Sequence, residues 1–243
     1  MNDGIVIKGL TKCYRDICAV NCLDLEIERG ETFALLGVNG AGKTTVVKML
    51  SCLTVPTSGD AAVGGHSTVM EKDKVKSIIG VSPQETAVAP NLTVAENLEF
   101  ILGVHGVAKC VCKEKIKEIS KAFSLDPVMK RKAGKLSGGW QRRLSIAMAM
   151  ITDPEFLFLD EPTLGLDVIV RSELWDLIRG LKGGTTVVLT THYMEEAEAL
   201  SDRIGIMKDG VLVSVGTAEE LKVKAGKDRF EDAFIEIVRG GGK

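Results

Sequence analysis

The chain has 243 residues, 26% of them charged and 45% hydrophobic, and a formal net charge of −2. That length allows one large core, or a core with a smaller attached subdomain. The near-neutral balance excludes a chain that binds nucleic acid through its overall charge, and apolar runs such as "IAMAMI" and "FLFL" are far too short to cross a membrane. The opening "MNDGIVIKGL" lacks a basic segment followed by an apolar stretch, so no signal peptide is expected and the chain is expected in the cytosol. Charge is nevertheless uneven. Between Lys109 and Lys135, nine Lys or Arg face only Glu114, Glu118 and Asp126, a local net of +6. A solvated helical face explains this, and so does a surface meeting acidic partner loops or anionic lipid head groups. The six cysteines (13, 18, 22, 52, 110, 112) and three histidines show no zinc-type spacing, so the thiols are expected to be reduced and to act mostly as small hydrophobes.

In chain order, "IVIKGLTKCY" and "LDLEIE" alternate apolar and polar residues as strands do, and Glu28–Gly30 supplies a turn. "TFALLG" is continuously apolar, the pattern of a strand buried on both faces. A glycine loop follows, then "KTTVVKMLSCL", which predicts a helix with Val46, Val47, Met49, Leu50 and Leu53 on one stripe. Residues 56–60, "PTSGD", end that unit. "SIIGVSPQ" reads as a strand entering a polar loop, and Thr93-Val94-Ala95-Glu96 as a capping box. From there to about Met150 the pattern is helical and contains the basic segment. Strand and helix then alternate through "EFLFLD", "TTVVLTTH", "MEEAEALSD", "RIGIMKDG" and "VLVSVG", with a hairpin turn at 208–210. There is no internal repeat, and the "RGGGK" tail is the one low-complexity stretch. The whole predicts a mostly parallel α/β core with an inserted helical subdomain at roughly 85–150.

Three stretches carry chemistry. "GVNGAGKTT", Gly37 to Thr45, has the spacing of a Walker A phosphate loop. Its glycines let backbone amides curl around phosphate oxygens, and a helix starting near Lys43 aims its dipole at them. Lys43 adds a charge at the β- and γ-phosphates, and the Thr44 hydroxyl is suited to Mg²⁺. A purely structural turn would account for the glycines but not for Lys-Thr directly after them. "FLFLDEP" ends a buried strand with Asp160, placed to hold Mg²⁺, and Glu161, which points elsewhere and can face an attacking water. "LSGGWQRRL", 136–144, offers a second anion-binding helix start in Ser137, Gly138 and Gly139. His192 closes a further apolar strand. Alone it reads as structural. In a parallel sheet, however, the carboxyl ends of strands converge on one crevice, which groups His192 with Gln84, Asp160 and Glu161 and makes His192 itself the expected γ-phosphate sensor.

The ordered set of Tyr14, Walker A at 37–45, Gln84, "LSGG" at 136–139, "FLFLDEP", "GLD" at 165–167 and His192 resembles the ATP-binding-cassette ATPases over essentially the whole chain. Other P-loop kinases or GTPases leave "LSGG", Gln84 and His192 unexplained. The resemblance implies one cassette over 1–243. Residues 1–84 and 151–243 would form a RecA-like P-loop NTPase core with an N-terminal antiparallel β subdomain, and 85–150 the helical subdomain. It implies ATP and Mg²⁺ as cofactors, with ATP bound by Tyr14 stacked on adenine, Val20 beside it, and Gly37, Val38, Asn39, Gly40, Ala41, Gly42, Lys43, Thr44, Thr45 and Gln84. Thr44, Gln84 and Asp160 would contact the metal. Glu161 would be the general base, with Lys43 and His192 as further catalytic groups. Gly165, Leu166 and Asp167 would form the dimer-contact loop, and Ser137, Gly138, Gly139 and Trp140 would act on a second copy in a head-to-tail dimer.

"THYMEEAEALSDRIGIM" and "FEDAFIEIV" further resemble cassettes of drug-resistance exporters, a group similar to lipid exporters. A separate transmembrane permease is the implied partner, with the cassette peripheral on the cytoplasmic face of the membrane and no nucleic acid involved. An importer's cassette, or a non-transport cassette acting on ribosomes or DNA, remains the alternative. Two positions depart from the family pattern: Trp140 stands where Gln is usual, and Val168 follows Asp167 where Pro is common.

Overall fold

The computed structural model describes residues 3–240, so Gly241–Lys243 of the glycine-rich tail lie outside the described residues. The chain begins with strands β1 (Ile5–Tyr14) and β2 (Ile17–Ile27), then β3 (Thr32–Gly37) and helix α1 (Lys43–Leu50). Next come β4 (Ser58–Val63), β5 (His66–Ser67), α2 (Lys72–Ile78) and β6 (Ile79–Ser82). Three helices follow: α3 (Val94–Val104), α4 (Lys109–Ala122) and α5 (Gly138–Met150). The chain then alternates through β7 (Phe156–Asp160), α6 (Val168–Arg179), β8 (Thr186–Thr191), α7 (Met194–Leu200), β9 (Arg203–Lys208) and β10 (Val211–Gly216), ending with α8 (Ala218–Ala225) and α9 (Phe230–Gly240).

Two sheets result. β2-β1-β4-β5 is antiparallel, whereas β9-β3-β8-β7-β6 is parallel with β10 added antiparallel at its edge. The α/β class is therefore the expected one. β3 shows why "TFALLG" is apolar throughout: Ala34 and Leu36 pack on the face shared with α3 and α5, while Phe33 and Leu35 pack on the face shared with α1 and the antiparallel sheet. Successive side chains leave a strand on opposite sides, so a strand covered twice needs no polar positions.

α3 starts as its sequence demands. The Thr93 hydroxyl accepts from Glu96 N–H, and Glu96 Oε2 accepts from Thr93 N–H at 2.7 Å. The Asp209-Gly210 turn takes positive φ at both residues, as a tight hairpin between β9 and β10 requires.

Two local expectations are corrected. α1 stops at Leu50, and Leu53 lies beyond it, 67% exposed, so it does not continue the apolar stripe. The expectation of wholly reduced thiols also fails, because Cys13 and Cys18 are joined in a disulfide. The β1–β2 register places them directly opposite each other; cross-strand proximity, invisible to a search for CxxC spacing, brings them together. Cys22 and Cys110 are exposed, Cys52 is half-buried and Cys112 buried, all as free thiols.

Candidate active site

The carboxyl ends of the parallel strands build a cleft of about 520 Å³. β3 delivers the 37–45 loop, in which Gly40 and Gly42 take left-handed φ of 84° and 101°. Gly42 admits no side chain at all, since a Cβ there would run into the Ala19 carbonyl. That close approach seats the start of α1 against β2. Lys43 is 5% exposed and donates to the Gly37 and Val38 carbonyls at 2.7 and 3.2 Å.

β7 delivers Asp160 and Glu161, both nearly buried. Asp160 Oδ1 accepts from the Thr44 hydroxyl at 3.0 Å and from the Thr190 hydroxyl at 2.5 Å. Thr190 also accepts from Glu161 N–H at 3.0 Å, so one hydroxyl on β8 ties both acidic positions to the neighbouring strand. Glu161 adopts φ +49°, and this turn out of the strand aims its carboxylate away from Asp160. Glu161 Oε1 lies 3.4 Å from Lys43 Nζ, and Oε2 lies 2.8 Å from His192 Nδ1. The expected divergence of the two carboxylates is thus realised.

Gln84 and His192 also line the cleft, with Asn39 through Thr45, Glu161 and Leu164. Neither of the two adenine-side residues, Tyr14 and Val20, is among those lining the cleft. Tyr14 sits at the β1–β2 hairpin end, half-exposed, with Lys12 Nζ over its ring at 5.0 Å. Val20, expected beside it, is fully buried in the core; strand alternation turns the neighbouring Ala19 into the cleft instead.

Ser137, Gly138 and Gly139 do not reach this cleft. They open α5 elsewhere, and the Ser137 side chain makes no capping hydrogen bond to its own helix. A Cβ on Gly139 would lie 2.5 Å from Val170 Cγ1 on α6. Trp140 is half-buried against the helical core, with the Arg143 guanidinium 5.1 Å from its ring centre. Asp167 caps α6, accepting from Ile169 and Val170 N–H at 3.1 and 3.0 Å, while the neighbouring Gly165 takes φ +74°. Val168 is 76% exposed at the first position of that helix.

Three supporting residues escaped sequence reasoning. Besides Thr190, Arg142 on α5 donates to the Pro83 and Gln84 carbonyls. Glu196 on α7, fully buried, accepts from the Thr163 hydroxyl at 2.7 Å and from Trp175 Nε1 at 3.1 Å. Burial pushes the Glu196 carboxyl above its ordinary range, and the Glu161 charge adds to the rise against the opposing hydroxyl and indole donors. The available signal was a charge on the buried stripe of its helix, between Ala197 and Leu200 on one side and Trp175 on the other.

Known proteins share this sequence and fold. A family model described as ABC transporter matches residues 20–164. The chain is 42% identical over 233 residues to the daunorubicin resistance ATP-binding protein DrrA3 of Streptomyces coeruleorubidus, covering 96% of this chain and 74% of that one. It is 41% identical over 237 residues to the doxorubicin resistance ATP-binding protein DrrA of Mycobacterium tuberculosis, covering 96% and 70%. A solved bacterial ABC transporter cassette, MJ0796, in dimeric form, superposes with TM-score 0.79 at 28% identity over 88% of this chain and 98% of that one. The same cassette has also been solved in a post-hydrolysis state bound to ADP and Pi, with the same TM-score and identity. The chain belongs to the ABC transporter family, as an ATP-binding and ATP-hydrolysing cassette subunit.

Proposed function

We propose that this cassette powers export of drugs, lipids or similar amphipathic small molecules through a separate transmembrane permease. In this reading two copies close head to tail around two ATP molecules. The observation that carries it is the separation of the two anion-binding elements. Lys43, Thr44, Asp160, Glu161 and His192 meet in one cleft, whereas Ser137–Gly139 present an exposed helix start outside it. A second copy supplies what that helix start lacks.

Within the cleft, the 37–45 amides and Lys43 would hold the phosphates, and Tyr14 would stack on adenine from the hairpin. Glu161, fixed by Lys43 and His192, would orient and deprotonate the attacking water, and His192 would face the γ-phosphate. Ser137 to Trp140 and the Gly165–Asp167 loop would meet the other copy.

Mg²⁺ suits the donors present: the Thr44 hydroxyl, the Asp160 carboxylate and the Gln84 amide are all hard oxygen ligands. Among the described residues no group of three or more His, Cys, Asp or Glu side chains could hold a metal. The cation would therefore take the rest of its shell from water and phosphate, as Mg²⁺ commonly does. When bound it would neutralise charge on the β- and γ-phosphates.

The proposed permease is a separate chain, and among the described residues of this one no helix is long and apolar enough to cross a membrane. A groove of about 430 Å³ at the junction of the core and the helical insertion, with Leu53, Ile101 and His105 on its walls, offers that partner a docking place. The drug-resistance names of the relatives support the export reading, and the phospholipid-transporting ATPase ABCA3 of Homo sapiens, 41% identical over 92% of this chain and 13% of that one, supports amphipathic cargo.

Light scattering on the Glu161→Gln protein with its co-purified permease tests the assembly. Saturating ATP and Mg²⁺ should bring two cassettes together. Cassettes that stay apart under those conditions, or a preparation that brings down ribosomes or DNA in place of a polytopic membrane protein, would overturn it.

A further inference from the structure

α5, the helix that opens at Ser137, is fastened to β6 and the loop beyond it along one face. A Cβ on Gly80 would run into the Ala149 carbonyl, the Ser82 and Ser145 hydroxyls meet at 2.9 Å, and Arg142 reaches the next two residues. Positions 142, 145 and 149 share that face by helical spacing. The last contact differs from the others. Arg142 is 5% exposed, and its two Nη atoms donate separately to the Pro83 and Gln84 carbonyls at 2.7 and 2.5 Å. Among the described residues no carboxylate lies within ion-pair distance of it; Asp160, Glu161 and Glu196 stabilise its charge from further away while burial opposes it. Burying a guanidinium on two carbonyls is costly where simple packing would do, and the planar fork fits two successive acceptors as a lysine cannot.

We propose that Arg142 is a positioning residue for Gln84, fixing the backbone that aims the Gln84 side chain into the cleft and tying it to the helix that starts at Ser137. This rests on the reading of Gln84 as a Mg²⁺ contact. The chain thereby links its own metal-facing loop to the surface it offers a second copy. Displacing α5 would move Gln84, and seating Gln84 on the metal would set α5.

Two readouts test it, both on the protein with a non-hydrolysable ATP analogue. The first is hydrogen exchange at residues 84–88. Arg142→Met should speed it at least tenfold, and Arg142→Lys, which keeps the charge and reaches one carbonyl, by less. The second is the affinity for Mn²⁺, used as the Mg²⁺ probe and read by electron paramagnetic resonance. Loss of an outer-shell partner costs metal sites on the order of tenfold or more in affinity. Arg142→Met should therefore weaken Mn²⁺ about tenfold, Gln84→Ala comparably, and the double variant no more than either alone. Ser145→Ala, which loosens the same helix–strand contact without touching the two carbonyls, should lower the melting temperature and leave Mn²⁺ affinity unchanged. Unchanged exchange at 84–88 in both Arg142 variants overturns the proposal. So does a double variant that loses the product of the two single effects. Unchanged Mn²⁺ affinity in Gln84→Ala, with exchange altered in Arg142→Met, overturns instead the reading of Gln84.

Discussion

Replacing Glu161 by Gln keeps the side-chain shape and removes one buried charge. A positioned general base contributes about 10²–10⁴ in rate, which at 1.36 kcal/mol per decade is about 3–5 kcal/mol of barrier. The effect on binding has the opposite direction. Lys43 Nζ lies 3.4 Å from Glu161 Oε1, both side chains nearly buried, and at an effective dielectric of 20 that attraction is about 5 kcal/mol gross. Neutralising Glu161 frees the ammonium for phosphate, so ATP affinity should hold or rise while kcat falls roughly a thousandfold. Phosphate release at saturating ATP and Mg²⁺, with equilibrium binding of a fluorescent ATP analogue, measures the two separately. A companion variant separates chemistry from stability. Because Glu161 sits at φ +49°, where a side chain costs about 1 kcal/mol relative to glycine, Glu161→Gly should abolish turnover and melt higher than Glu161→Ala, which loses the same Lys43 and His192 contacts but keeps the strain. A kcat within threefold of the parent for Glu161→Gln would refute the base role. A tenfold weaker ATP affinity would refute the account of Lys43.

Three further outcomes are expected. Gly139→Ala places a Cβ 2.5 Å from Val170 Cγ1, and a stiff β-branched neighbour yields little; ATPase activity should drop about tenfold, and adding Val170→Ala should restore most of it. Tyr14→Ala removes a half-exposed stacking surface worth about 1 kcal/mol, so KM for ATP should rise roughly fivefold with kcat unchanged, read from initial rates. Glu196 is raised by burial, so its neutral form favours folding. Below the ordinary carboxylate range both folded and unfolded chains are protonated and the difference vanishes. As pH rises past that range the unfolded chain ionises first and stability falls until the folded group ionises too. Melting temperatures should therefore show Glu196→Gln gaining on the parent as pH rises above the ordinary carboxylate range, and an advantage that shrinks on that rise would contradict the sign.

Much of this site could be read directly in the sequence because its parts are local. The 37–45 loop needs glycines at fixed offsets for backbone reasons, and Asp160-Glu161 announces itself by following four apolar residues. The parallel sheet was equally legible, since strands covered on both faces carry no polar positions. What stayed hidden depends on which strand lies beside which. Thr190 matters only because β8 neighbours β7, and Arg142 only because α5 crosses β6. The resemblance implies Val20 at the adenine, whereas one step of strand alternation puts Ala19 in the cleft and Val20 in the core. Cys13 and Cys18 illustrate the same limit: five residues apart, they become partners through a hairpin register.

The thiol inventory turns the chain into its own reporter. With Cys13 and Cys18 tied to each other, a maleimide meets two freely accessible sulfurs, Cys22 on β2 and Cys110 on α4. One belongs to the antiparallel sheet and the other to the helical insertion, and neither touches the nucleotide cleft. A donor and acceptor dye attached to the native protein would thus report the distance between β2 and α4 with and without ATP, with no cysteine added or removed.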